Sequence, residues 1–126
     1  MLARGLDDLL VYRKSIVANK AVSALLQRPR VRIDRDLHSQ LASAAAAVAA
    51  NIAEGFGQQT DRQFVRYLFI ARGSAQELRA LLVVARDRGY IVTTEMADLS
   101  EKYEEVARML TGLIKYLRAS DRKERG

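Results

Sequence analysis

Apolar residues recur three and four positions apart along most of the chain, the spacing of one face of a helix rather than the alternation of a strand. Val11, Ser15, Ala18, Val22 and Leu25 make one stripe, with Arg13, Lys14 and Lys20 turned away from it. A second stripe runs through Leu37, Leu41, Ala44, Ala45, Val48 and Ile52, and a third through Phe64, Tyr67, Ala71, Leu78, Leu82 and Ala85. The fourth runs through Met96, Leu99, Tyr103, Val106, Leu110, Leu113 and Leu117. The sole proline, Pro29, and the glycine cluster "EGFG" fall between stripes, where they punctuate the chain. The pattern predicts helices at about 6–27, 35–55, 60–88 and 94–119, with a basic tail from about 118 to 126. Pro29 stops the first helix, Asp34 is placed to cap the second, and Thr60 with Gln63 forms a capping box for the third. Gly89 suits the left-handed turn that closes the third helix.

Long helices joined by short connections predict an all-α fold, an antiparallel up-down-up-down four-helix bundle in one domain spanning 1–126. Each helix then buries one stripe. The second helix is also lined at its back by Ala42, Ala46, Ala49, Ala50 and Ala53, and the third carries Val65, Phe69, Gly73, Ala80, Val83 and Val84 opposite its core stripe. Apolar surface left over after a bundle has closed marks a partner site. Small residues there let backbones approach closely, so the expectation is a homo-oligomer whose interface includes Ala46, Ala50, Ala53, Val65, Phe69, Gly73, Ala80 and Val83.

Charge adds a second surface. The chain has 21 Lys and Arg against 15 Asp and Glu, a net charge of +6. Such a balance favours polyanions, because each phosphate neutralised releases counterions. Two runs concentrate the cations: Arg28, Arg30, Arg32 and Arg35 around the first connection, and Arg118, Arg122, Lys123 and Arg125 in the tail. Both are candidate nucleic-acid contacts, although neither interleaves aromatic residues as a single-strand stacking platform would. Solvated ends are the competing reading.

Catalytic constellations are not found. The lone histidine, His38, has no Glu-x-x-His spacing for a di-iron bundle, the serines have no nucleophile elbow or evident base, and there is no cysteine for thiolate chemistry. No metal or cofactor site is expected. Absence of cysteine fits a reducing compartment, so a cytoplasmic location is expected. The longest stretch without charge, residues 37–53, is mostly alanine and short of the ~20 strongly apolar residues that cross a bilayer. No membrane partner is expected either. Glu54 is placed near a helix C-terminus, where the dipole disfavours it, with Arg62 and Arg66 just across the turn. A structural polar network of Asn51, Glu54, Arg62, Arg66, Ser74 and Glu77 is the resulting expectation, holding the second helix to the third or to another subunit. A ligand site or acid–base pair there is the alternative.

The segment "ANIAEG" followed by "RQFVRYLFIARGSAQEL", "RDRGYI" and "MLTGLIKYL" resembles the bacterial four-helix-bundle family called 23S rRNA-intervening-sequence proteins. The resemblance runs from about Val11 to Leu117 and is strongest from Gln40 to Ile91. It implies an antiparallel four-helix bundle, assembly into a ring of five, and an association with RNA or a nucleic-acid enzyme, with no catalytic residue to carry over. Ala42 and Ser43 stand where the family commonly has two arginines, Ala49 where it has proline, and Tyr12 where it has tryptophan. An RNA contact by that arginine pair has no counterpart here, so the linker or tail cations would have to replace it. The sequence therefore leads to a non-enzymatic oligomeric bundle that engages RNA or a nucleic-acid-processing partner. A protein-interaction scaffold without nucleic-acid affinity is the alternative reading, and a small-ligand binder the third.

Overall fold

Leu9 decides where the first long helix begins. In a computed structural model that describes residues 3–125, Leu9 is extended (φ −80°, ψ 110°) and drops its side chain into the core. The helix expected from residue 6 is therefore divided into a 3-10 turn, Leu6–Asp8, and α1, Leu10–Leu26. All five residues of the predicted stripe, Val11 to Leu25, are buried. Pro29 then does more than stop a helix. Its missing N–H is no loss in a first turn and its fixed φ suits one, so it opens a short helix, α2, Pro29–Ile33, inside the connection expected to be irregular. Val31 from that turn is fully buried.

The expected cap of the next helix holds: the Leu37 amide donates to Asp34 Oδ1 at 3.3 Å and α3 spans Arg35–Phe56. Thr60 caps α4, Asp61–Asp87, by accepting from the Gln63 amide at 3.2 Å; among the described residues only this half of the expected capping box forms. Gly89 ends α4 with φ +78°. The amides of Gly89 and Tyr90 donate to Arg86 O and Ala85 O, both at 2.9 Å, which satisfies the last carbonyls in the Schellman manner. The last helix, α5, spans Thr93–Arg125, so the tail expected from 118 is helical through Arg125, while its final residue, Gly126, lies outside the described residues. Arg122, Lys123 and Arg125 in the last turn face the negative end of the helix dipole, which favours that extension.

The fold is all α. Helix α1 packs on α3 and α5, and α4 packs on α3 and α5. Lys14–Glu105, Asn19–Tyr103 and Arg28–Glu95 join α1 and its C-terminal end to α5, so residue numbers rise on one side as they fall on the other. The same holds between α4 and α5 for Arg62–Asp121, Arg72–Thr111 and Arg79–Ser100. These two pairs run antiparallel. Between them lies a core with Leu41, Ile52, Leu68, Leu78, Leu82 and Leu110 fully buried. Tyr103 enters it too, with its hydroxyl donating to Asn19 Oδ1 at 2.8 Å. Burial pushes the Tyr103 phenol well above its ordinary pKa, so the hydroxyl remains a donor. Among the described residues, no helix is long and apolar enough to cross a membrane.

Candidate nucleic-acid interface

Charge complementarity within the chain separates the two basic runs. Arg28 donates to Tyr90 O at 3.2 Å and pairs with Glu95, whose carboxylate also accepts from the Val92 amide at the start of α5. Arg30 donates to Gly89 O at 2.9 Å and lies 5.2 Å from the centre of the Tyr90 ring. Arg88 and the Tyr90 hydroxyl both donate to Asp34 Oδ2, at 2.7 and 2.8 Å. The bond from Tyr90, then those from Arg88 and the Leu37 amide, holds the Asp34 carboxyl below its usual range and outweighs the desolvation that opposes it. The Asp34 bond in turn raises the Tyr90 phenol, and the Arg28 bond lowers Glu95. Together these groups clasp the α1–α3 connection to the α4–α5 connection. Arg28 and Arg30, expected to face nucleic acid, are exposed but engaged by groups of the chain itself; Arg32 and Arg35 are exposed and join no ion pair among the described residues.

The tail behaves differently. Arg118, Arg122 and Arg125 from α5 meet Arg62 from the first turn of α4 around a cleft of about 330 Å³, four cations to the two carboxylates of Asp61 and Asp121, with Val65 and Leu117 also in its lining. Asp121 stands 3.9 Å from both Arg62 and Arg125, beyond hydrogen-bond distance. Its single charge is shared between two guanidinium groups, and among the described residues Arg118 and Arg122 join no ion pair. Arg72 and Arg118 each lie over the Phe69 ring, at 4.8 and 4.9 Å from its centre. Arginines from two helices thus line one cleft.

The expected polar network is not formed within the chain. Asn51 donates to Ala47 O of its own helix at 2.8 Å, and Arg62 pairs with Asp121 instead of Glu54. Glu54, Arg66 and Glu77 are exposed and Ser74 is half-buried; among the described residues none of the six bonds to another. Helix rotation is the reason. Gly55, not Glu54, occupies the position of α3 that meets Phe64 and Tyr67 of α4, and one residue along a helix turns the side chain by about 100°. Glu54 is left facing solvent.

The expected interface residues also divide. Val65 is buried and belongs to the core, and Phe69 is half-buried beneath the two arginines, so neither lies free on an outer face. Ala46, Ala50, Gly73, Ala80 and Val83 are exposed, and Ala53 is half-buried. Ile70, at 46% exposure, joins them. One residue near the basic cleft escaped the sequence reading: Tyr116, which shares a stretch of surface with Arg122. Tyr116 falls off the core stripe of Leu110, Leu113 and Leu117, and that offset was the signal the sequence carried.

Comparison with known proteins fits this architecture. The description of the 23S rRNA-intervening sequence protein family matches residues 7–112, and the chain belongs to that family. Among solved structures, the chain is similar to a protein of unknown function from the S23 ribosomal protein family of Bacteroides thetaiotaomicron. The two are 23% identical with a TM-score of 0.76, over 83% of this chain and 98% of the other, which establishes a shared fold. Comparison with curated proteins gives no match.

Proposed function

We propose that the chain is a non-enzymatic, self-associating helical protein of the cytoplasm that holds RNA through the end of the molecule where α4 begins and α5 finishes. The observation that carries this reading is the arginine cleft. Arg62, Arg118, Arg122 and Arg125 line it against the two carboxylates of Asp61 and Asp121, the latter paired at 3.9 Å with Arg62 and Arg125, whereas Arg28 and Arg30 are tied up elsewhere. Phosphate binding of this kind is insensitive to base sequence and strongly dependent on salt. Labelled RNA should be retained at low salt and released at moderate salt. Replacing Arg118, Arg122 and Arg125 together by alanine should weaken retention and flatten its salt dependence, by about 0.7 in slope for each single-strand phosphate left unneutralised. Unchanged affinity in that variant would refute the reading.

We read the pairing of the long helices as an up-down-up-down four-helix bundle, since α1–α5 and α4–α5 run antiparallel and each of the four packs on two others. The exposed Ala46, Ala50, Gly73 and Ala80, with Ile70 and Val83, supply a low-relief face for a second copy of the chain, and the resemblance implies a ring of five. Light scattering should return several times 14.1 kDa, and Ala80→Glu should return smaller species with helicity intact. A wild-type monomer at micromolar concentration would remove self-association from the proposal. Self-association without RNA retention would favour the scaffold reading.

A further inference from the structure

Helix α5 outlasts the helix that covers its flank. Lys14 of α1 meets Glu105, and Leu9 to Val11 share a surface groove with Met109 and Leu113, which puts the start of α1 level with residues 109–113 of α5. Glu105, Met109, Leu113, Tyr116, Ser120 and Lys123 follow one another at spacings of three and four, so they lie along one side of α5. The first three meet α1, and the last three extend past its end. Tyr116 is accordingly 54% exposed, an aromatic ring left at the surface beside the basic last turns of α5. Tyr116, Ala119, Ser120, Arg122 and Lys123 share an open stretch of the α5 surface, and Arg122 borders the arginine cleft as well. An accessible ring and the cations beside it therefore adjoin the arginine cleft through Arg122.

We infer that the last turns of α5 bind single-stranded nucleic acid, with a base stacked on Tyr116 and the adjoining phosphates held by Arg122, Lys123 and the arginine cleft. The inference rests on the RNA-binding reading above and narrows its substrate. A duplex keeps its bases stacked internally and can use only the cations, whereas a single strand can turn a base onto the ring. Stacking needs a ring and no particular base, so the preference is for strandedness over sequence.

The test measures anisotropy of a labelled short uridine RNA, the same length of abasic backbone, and a blunt RNA duplex, with wild type, Tyr116→Ala, Tyr116→Phe and Arg122→Ala. Wild type should bind the uridine strand more tightly than the other two. Tyr116→Ala should lose roughly 5- to 150-fold on that strand, the range one stacked base contributes, with abasic and duplex binding unchanged. Tyr116→Phe should bind like wild type, because the hydroxyl is not used, and Arg122→Ala should weaken all three. Equal binding of strand and duplex, or a Tyr116→Ala variant that binds the strand like wild type, would overturn the inference and leave the RNA-binding reading intact. Loss of affinity in Tyr116→Phe equal to that in Tyr116→Ala would overturn stacking, as would a change in assembly mass on replacing Tyr116. No binding of any nucleic acid by wild type at low salt would overturn both.

Discussion

Gly55 is where α3 and α4 approach most tightly, and Gly55→Ala is the sharpest test of that packing. A methyl group there would lie 2.8 Å from both Phe64 Cδ1 and Tyr67 Cβ, and 3.2 Å from the Phe64 carbonyl oxygen. Favourable carbon contacts lie about 3.5–4.0 Å apart, so the neighbours would have to move by roughly an ångström. The Phe64 ring alone cannot absorb this. Tyr67 Cβ and the Phe64 carbonyl travel with the α4 backbone, and the Phe64 ring is packed edge-on to Phe56 at 6.1 Å. Overpacking of this kind costs about 1–3 kcal/mol, and the movement of backbone puts the cost toward the upper end. Alanine returns at most about 1 kcal/mol of helix propensity, and less one residue from the end of α3. The net expectation is a loss of about 1–2 kcal/mol. Urea unfolding followed by circular dichroism at fixed protein concentration should show the midpoint falling by about 0.5–1 M with an unchanged slope. Gly112→Ala, inside α5, is the control, because a methyl group there meets nothing within 4 Å. It should leave the chain equally stable or up to about 1 kcal/mol more stable. A Gly55→Ala variant as stable as Gly112→Ala would refute the close approach of the two helices.

Tyr103→Phe removes the hydroxyl bond to Asn19 and should cost about 1 kcal/mol, because half-buried Asn19 can turn to water. The same variant should resist alkali better. The folded Tyr103 pKa lies above the ordinary 10.0, so its contribution is full below pH 10.0 and declines as pH rises toward the folded value, a decline that melting curves of the phenylalanine variant should lack. Asp34→Asn should melt lower than wild type at neutral pH, and the gap should close in acid. The folded Asp34 pKa is depressed, so its contribution is present above the ordinary 3.8 and is lost as pH falls from there through the folded value. Asparagine still caps a helix well, so what the comparison reads is the charge facing Arg88; equal melting temperatures across the series would mean that the clasp adds nothing.

The four long helices, and the inward sides of α1 and α3, were legible in the sequence. Val11 to Leu25, and Leu37 to Ile52 on α3, were each assigned to the buried side, and the caps at Asp34 and Thr60 and the stop at Gly89 are local interactions spanning a few residues. Such features depend on a fixed turn per residue and on near neighbours, so one dimension is enough to state them. What side chains meet across helices was not legible. That depends on the rotation and register of each helix against its neighbours, which long-range packing sets. Hence Arg62 turns to Asp121 rather than Glu54, Arg28 and Arg30 close a clasp at the surface instead of standing unpaired, and Val65 enters the core. The arginine cleft belongs to the same category: its residues come from positions 62 and 118–125, and only the antiparallel return of α5 along α4 brings their charges to one place.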